Sequence, residues 1–217
     1  DLIREHLMDV KEDGSFRLDM RYFNYCTGLT MTNQRFADLF GGQPRASGEP
    51  LAQRHMDLAR SVQEVLEEVV LALCRNLFDK TGEKNLCLAG GVALNCVANT
   101  RILREGPFEN IWIQPAAGDA GSSLGVAFAI ANNVSGNAGD ETGRQPGPNG
   151  ADAMRGAYLG PAFNEAAIRA ALDDVGAIYE EMDNDALFPF AARALASEKI
   201  VGWFQGRMEF GPRALGN

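Results

Sequence analysis

The chain has 217 residues, a formal net charge of −9 and an isoelectric point near 4.8. Its length allows one sizeable core or two small domains, while its acidic balance argues against a general nucleic-acid binder, which needs a basic surface. It contains no apolar run as long as a membrane span and no basic segment followed by an apolar one at its start. We therefore expect a cytoplasmic protein that has neither nucleic acid nor a membrane as its partner.

The cysteines and the ends of the chain add two expectations. The four cysteines form no C-x-x-C pair and have no metal-like spacing with the two histidines, which indicates unpaired thiols in a reducing compartment. Because the chain opens on Asp1 without a methionine and stops within a turn-rich, charged stretch, we interpret it as a fragment of something longer.

Short elements are predicted over the first 50 residues. Residues 2–10 are typical of the end of a helix, whereas residues 15–20 and 22–26 carry apolar and aromatic patterns that favour two short strands. Residues 33–40 are predicted to form a short helix that ends at the Gly41–Gly42 pair.

The longest helical pattern covers residues 51–78, where apolar residues recur at steps of three and four. Polar residues, including a cluster of glutamates, fill its other side. We expect this helix to cover a sheet, and His55 near its start to be a surface or capping residue.

Two strand–glycine turn–helix units follow in tandem. Each places an open backbone turn and a helix N-terminus at the end of a strand, which is the edge where open parallel sheets bind ligands. Helix N-termini present N–H donors and a partial positive charge that suit phosphate. The two units comprise strand 86–89, the Gly90–Gly91 turn and helix 93–103, followed by strand 111–113, turn 115–121 and helix 122–132.

Together these units predict a nucleotide-binding site. Asn95 could hydrogen-bond a ribose or a base, and Asp119, at the mouth of the second helix, could hold a cation or a ligand hydroxyl. The alternatives are that the first glycine pair is merely a tight turn and that Asp119 is an N-terminal helix cap. The candidate nucleotide-binding residues are Gly90, Gly91, Asn95, Gly118 and Gly121.

The composition changes over residues 133–153, which are rich in Gly, Asn, Pro and Asp. Such a stretch is typical of a linker or mobile loop, and we place a domain boundary within it. Beyond the boundary, strands are predicted at residues 157–161, 177–182 and 199–204, and helices at residues 164–175, capped by Asn164, and 187–197.

A glycine- and proline-containing loop follows the last of these strands. It carries Arg207, Glu209 and Arg213, and arginine presents a fork of donors that matches phosphate or carboxylate two bonds at a time. The loop is therefore a candidate anion pocket. The alternative is a surface loop held together by ion pairs around Glu209.

Three motifs, GGVALNCVAN, PAAGDAGSSLG and WFQGRMEFGPRALGN, resemble the NodU/CmcH family of O-carbamoyltransferases. The resemblance runs through nearly the whole chain, with residues 133–153 as the exception. It implies an α/β fold in which the second half of an actin-like ATPase-fold domain (residues 1–132) is followed by the start of a YrdC-like domain (residues 154–217).

The resemblance also implies a reaction. The YrdC-like domain makes carbamoyl-adenylate from carbamoyl phosphate and ATP, and the actin-like domain transfers the carbamoyl group to a hydroxyl of a small molecule or glycan. A divalent metal, of the iron type or Mg²⁺, is implied, with its remaining ligands outside this chain. We expect the isolated chain to be inactive, and an exposed core could promote association, for example into a homodimer.

The resemblance implies roles for seven of the candidate residues. Gly90 and Gly91 match the turn that holds the nucleotide phosphates, and Asn95 matches a nucleotide-contacting position. Asp119 matches the metal-binding aspartate and is the one candidate catalytic residue. Arg207, Glu209 and Arg213 match the motif that opens the carbamoyl phosphate site.

Two rival functions share parts of this pattern. A sugar kinase-type phosphotransferase on the same actin-like fold would carry the same glycine turns, although it leaves the arginine loop unexplained. A non-catalytic fragment that only binds nucleotide or a partner protein is the second rival. Dependence of turnover on carbamoyl phosphate separates a carbamoyltransferase from the phosphotransferase. Loss of nucleotide affinity in Gly91→Val, with no measurable turnover of the full-length chain, would favour the non-catalytic rival.

Overall fold

A computed structural model describes residues 1–134 and 154–216 of the chain. These residues fall into two compact units, Asp1–Gln114 and Pro115–Asn217. Both contain helices, and strands occur in the first, so the predicted mixed α/β class is confirmed at this level. The actin-like assignment stays a prediction. So do the domain limits, because the proposed linker at residues 133–153 lies almost wholly outside the described residues.

The first unit opens with a π-helical turn, Ile3–Leu7, that leads into an antiparallel hairpin of β1 (Met8–Val10) and β2 (Phe16–Leu18). The helix predicted over residues 2–10 is therefore confirmed only for Ile3–Leu7, since Met8–Val10 form a strand. The strand predicted at residues 22–26 is wrong. A 3-10 turn, Met20–Tyr22, ends where this strand was predicted to begin, Phe23 then forms a single bridge with Thr32, and residues 25–27 form a turn.

Two helices follow the hairpin, and their ends obey simple capping rules. Helix α1 (Gln34–Leu39) begins after Asn33, whose side chain accepts a hydrogen bond from the Arg35 N–H. This bond satisfies one of the N–H groups of the first turn that have no acceptor within the helix. Helix α2 (Gln53–Thr81) starts with His55 Nδ1 accepting from the Ala52 N–H at 3.0 Å, so the capping role expected of His55 is confirmed.

The core of the first unit is a β–α–β unit covered by α2. Strands β3 (Asn85–Leu88) and β4 (Asn110–Ile113) pair in parallel, and α3 (Cys96–Glu105) connects them. Both strands and the covering helix were predicted. The buried core residues here are Leu71, Cys74, Leu86, Ile102 and Phe108, and burial raises the pKa of the Cys74 thiol.

The described part of the second unit contains helices but no strand. They are α4 (Asp119–Val134), α5 (Glu165–Asp174), capped by Asn164 as predicted, and α6 (Asn184–Ala196). The strands predicted at residues 157–161, 177–182 and 199–204 are therefore wrong. Apolar runs form strands only when a neighbouring strand pairs with them, and Ile178 and Ile200 are fully exposed.

Three backbone hydrogen bonds join residues 157–161 to residues 208–210 in this unit, and one of them runs from the Phe210 N–H to the Ala157 carbonyl at 2.7 Å. The Gly160 N–H donates to the Met208 carbonyl and the Met208 N–H donates to the Pro161 carbonyl, both at 3.0 Å. This contact anchors the start of the arginine loop. None of the described helices of either unit is long and apolar enough to cross a bilayer.

Candidate functional site

The first glycine turn follows β3 directly. Gly90 has φ +92° and ψ 162°, a conformation that side-chain-bearing residues strongly avoid. A 3-10 turn, Gly91–Leu94, then leads into α3. A Cβ atom built on either Gly90 or Gly91 would meet no atom within 4 Å. The backbone of this turn therefore borders open space, as a ligand-binding turn requires.

The turn lies at the carboxyl end of the parallel sheet. Because β3 and β4 run in parallel, their carboxyl ends share one edge, and the Gln114 N–H donates to the Leu88 carbonyl there at 3.1 Å. This is the edge at which ligands bind to open α/β sheets.

Asn95 caps α3 and is itself held by α2. Its Oδ1 accepts from the Ala98 N–H at 3.0 Å and from Gln63 Nε2 at 3.2 Å, while its Nδ2 donates to Gln63 Oε1 at 2.8 Å. The sequence predicted Asn95 as a candidate but gave no sign of Gln63, which lies 32 residues earlier. Polar residues within the apolar pattern of a helix are common, so the sequence pattern of α2 could not single out Gln63.

Gln63 is bonded in turn to Glu67, which is the one charged residue in the described part of the chain that is buried, with 6% of its surface exposed. Gln63 Nε2 donates to Glu67 Oε1 at 2.8 Å, and Arg101 Nη1 donates to Glu67 Oε2 at 3.2 Å. These two partners, Gln63 first, hold the pKa of the Glu67 carboxyl below its ordinary value. Glu67 is therefore an ionised group shared by α2 and α3.

The second glycine turn precedes α4 and belongs to the second unit. Gly118 borders open space, whereas a Cβ on Gly121 would lie 2.0 Å from the carbonyl oxygen of the buried Ala116. Gly121 is thus required by packing. Asp119 is exposed at the first position of α4. Across residues 1–134 and 154–216, no group of three His, Cys, Asp or Glu side chains could hold a metal ion.

The arginine loop forms a real concavity. Arg207, Glu209 and Arg213 all line a cavity of about 270 Å³, together with Trp203 and Phe204. Glu209 Oε2 accepts a hydrogen bond from the Leu215 N–H at 2.8 Å, and Arg207 donates to the Gly160 carbonyl. Within the described residues Glu209 forms no ion pair, and the carboxylate instead shapes the loop through the backbone.

The arginine loop and the second glycine turn are packed together. Gly211 has φ +151°, and a Cβ on it would lie 2.8 Å from the Pro115 carbonyl oxygen and 3.6 Å from Ala116 Cα. The structure thus groups the candidates into two sets, one in each unit. The first set is Gly90, Gly91 and Asn95, and the second is Gly118, Asp119, Gly121, Arg207, Glu209 and Arg213.

Comparison with known families gives two matches. The family model described as the carbamoyltransferase N-terminus matches residues 1–128, more than half of the chain. The model described as the carbamoyltransferase C-terminus matches residues 192–217, which contain the arginine loop. The two candidate sets therefore lie in segments that these family models describe.

Three curated proteins are similar to this chain over most of its length. An uncharacterized protein of Synechocystis is 55% identical over 218 residues, which cover 100% of this chain and 34% of that protein. The nodulation protein NolO of Bradyrhizobium diazoefficiens is 40% identical, covering 81% of this chain and 30% of NolO. The nodulation protein NolNO of Sinorhizobium fredii is also 40% identical, covering 80% of this chain and 24% of NolNO. The chain thus spans about a third or less of the length of these relatives.

Proposed function

Since the chain belongs to the carbamoyltransferase family, we propose that it forms part of an O-carbamoyltransferase that activates carbamoyl phosphate with ATP to carbamoyl-adenylate. The carbamoyl group then passes to a hydroxyl of a small-molecule or glycan acceptor. The observation that carries this proposal is the cavity shared by Arg207, Glu209 and Arg213, in the segment matched by the carbamoyltransferase C-terminus.

The arginine cavity is the proposed site for carbamoyl phosphate. Two guanidinium groups line one concavity, and a guanidinium group is suited to donate two parallel hydrogen bonds to phosphate oxygens. Glu209, by accepting from the Leu215 N–H, fixes the curvature of the loop that carries them. Arg213 is exposed, which leaves its fork accessible to an anion from solvent.

The Gly90–Gly91 turn is the proposed nucleotide site. Its open backbone, its position at the carboxyl edge of the parallel sheet and the neighbouring Asn95 amide all suit a phosphate or ribose. Such a site would hold the adenylate while its carbamoyl group is transferred. Because carbamoyl-adenylate is a mixed anhydride, donors placed on its phosphate stabilise the charge that develops as the carbamoyl group leaves.

Asp119 is proposed as one ligand of a divalent metal. It is exposed at the start of α4, and carboxylate oxygens suit such ions. The described residues supply no second and third ligand near it, so they do not form a metal site by themselves. We therefore assign no step of the transfer to a metal in this chain.

Product analysis by mass spectrometry tests the proposal. The full-length protein is supplied with ATP and carbamoyl phosphate but no acceptor, and we expect carbamoyl-adenylate, pyrophosphate released from ATP and inorganic phosphate released from carbamoyl phosphate. Arg213→Ala is expected to raise the KM for carbamoyl phosphate at least tenfold, the scale of a lost charge-assisted hydrogen bond. Arg193→Ala, an exposed arginine of α6 outside the cavity, is the matched control and should leave that KM unchanged.

Two results would favour the rival functions. If ATP gives only ADP, and turnover does not depend on carbamoyl phosphate, the chain belongs with phosphotransferases of the sugar kinase type. If no product forms under any condition, although nucleotide still binds at the Gly90–Gly91 turn, the protein is a non-catalytic nucleotide binder.

A further inference from the structure

A chain of polar side chains joins the buried face of α2 to the start of α3. It runs from Arg101 through Glu67 and Gln63 to Asn95, with contacts of 2.8 to 3.2 Å. It ends beside the Gly90–Gly91 turn, because Asn95 closes the 3-10 turn that begins at Gly91. No buried side-chain N or O atom in the described residues lacks a partner.

The order of donors and acceptors along this chain has one solution. Arginine only donates and a carboxylate only accepts hydrogen bonds. Glu67 must therefore accept a hydrogen bond from Gln63 Nε2, which leaves Gln63 Oε1 to accept one from Asn95. At the other end, the Ala98 N–H is a donor and requires Asn95 Oδ1. Glu67 thus fixes the orientation of the Gln63 amide, and the Ala98 N–H fixes that of the Asn95 amide. The two orientations are compatible with the hydrogen bond from Asn95 Nδ2 to Gln63 Oε1.

This fixed order decides what Asn95 can offer a ligand. Its Oδ1 is already used by the Ala98 N–H and by Gln63, whereas Nδ2 has two hydrogens and gives one to Gln63 Oε1. The second hydrogen has no partner among the described residues. Asn95 is half-buried and lies next to the open glycine turn, so it is presented as a donor and not as an acceptor.

We propose that Glu67 and Gln63 are positioning residues that hold Asn95 as a hydrogen-bond donor, so that the Gly90–Gly91 turn selects an acceptor oxygen of a nucleotide phosphate or ribose. This inference rests on the proposed nucleotide site. It adds that selection at the turn is set from α2, by a carboxylate that does not touch the ligand.

Glu67→Gln is the decisive variant. The replacement has nearly the same shape but offers a single acceptor oxygen, while Gln63 and Arg101 both donate to this position. Only one of them can then be satisfied, so Gln63 is no longer held with its Oε1 towards Asn95, and the Ala98 N–H alone is left to orient the Asn95 amide. Glu105→Gln is the matched control, because Glu105 is the other carboxylate bonded to Arg101 but is exposed and does not contact Gln63.

Two more variants separate positioning from folding. Asn95→Ser retains a side chain able to cap α3 but is too short to exchange hydrogen bonds with Gln63 in the same way. Gln63→Leu removes the link without changing charge. The slow exchange of the Ala98 amide in the absence of ligand reports whether the cap survives in each variant.

The measurement is hydrogen–deuterium exchange of the peptide covering residues 90–99 in the full-length protein, titrated with AMP, which gives a Kd for this turn alone. We expect Glu67→Gln, Gln63→Leu and Asn95→Ser each to weaken AMP binding about fivefold to tenfold, the scale of one hydrogen bond. Glu105→Gln should stay within about twofold. Combining Glu67→Gln with Asn95→Ser should add no further loss, because both break the same connection.

The outcomes that overturn the inference are distinct from failure of the proposed function. Equal AMP affinity in the wild type and Glu67→Gln, or losses that multiply in the double variant, would refute the positioning role and leave the nucleotide site standing. No AMP-dependent protection of residues 90–99 in the wild type would refute nucleotide binding at the turn and, with it, the inference. Adenosine and inorganic phosphate, used as separate probes, show which oxygen Asn95 selects.

Discussion

Gly211 lies so close to Pro115 that a methyl group on its Cα would come within 2.8 Å of the Pro115 carbonyl oxygen. The contact joins the arginine loop to the turn that carries Asp119. It depends on glycine for two reasons, the missing Cβ and a φ of +151° that other residues rarely adopt.

We therefore expect Gly211→Ala to displace the arginine loop. Strain and overlap together should cost about 1 to 3 kcal/mol, and the loss of loop geometry should weaken carbamoyl phosphate binding. Gly202→Ala is the control, since a Cβ there meets no atom within 4 Å. Thermal unfolding and the KM for carbamoyl phosphate measure the two effects, and identical behaviour of the two variants would contradict the expectation.

The first glycine turn offers a comparison of two adjacent positions. Gly90 has φ +92°, whereas Gly91 begins a 3-10 turn with an ordinary φ, and a Cβ on either would meet open space. Gly90→Ala should thus lower the free energy of unfolding by about 1 to 3 kcal/mol through backbone strain alone. Gly91→Ala should change it by less than about 0.5 kcal/mol. Urea denaturation measures both, and equal losses would show that φ is not the deciding factor.

Ile102 anchors α3 in the core of the first unit, with 1% of its surface exposed. Its neighbour Leu103 is 59% exposed and has the same number of carbon atoms. We expect Ile102→Ala to lower the free energy of unfolding by about 2 to 5 kcal/mol, because it leaves a cavity, and Leu103→Ala by less than about 0.5 kcal/mol. Denaturant unfolding of the two variants tests whether α3 packs as described.

Lowering the pH should remove the stabilisation that Asp19 gives to the Met20–Tyr22 turn, over a defined pH range. Hydrogen bonds from Arg21 lower the pKa of the Asp19 carboxyl from 3.8 to about 2. Since the folded-state pKa is the lower one, this contribution to stability is complete above pH 3.8 and is lost as the pH falls through about 2.

An NMR titration of the Asp19 carboxyl checks this directly. We expect a midpoint near 2 in the wild type. Arg21→Ala should raise that midpoint only part of the way towards 3.8, because the residue-21 N–H still donates to Asp19. A wild-type midpoint of 3.8 would show that the pair does not form in solution.

Much of the first unit was predictable from local sequence. The three- and four-residue apolar steps of α2, the capping role of His55, and the strands on either side of α3 all depend on residues within a few positions of one another. The Gly90–Gly91 turn was equally visible, since glycine after a strand and before a helix is a local signal. The same holds in the second unit for the Asn164 cap of α5.

The strands predicted in the second unit failed for a physical reason. Residues 177–182 and 199–204 have apolar content suited to strands, but a strand is stable only when another strand takes up its backbone hydrogen bonds. The described residues of this unit supply no such neighbour, and Ile200 remains exposed. The composition of a segment indicates that it could form a β-strand, but not whether a second strand is present to pair with it.

The sequence by itself determined the family, the glycine turns, the arginine loop and the approximate positions of the longer helices, because each is encoded in a contiguous stretch. Only the tertiary structure decided that Gln63 and Glu67 hold Asn95, and that Gly211 packs on Pro115. Those relationships join residues far apart in the chain, and hydrogen bonds and steric contacts act over a few ångströms of space whatever the separation in sequence.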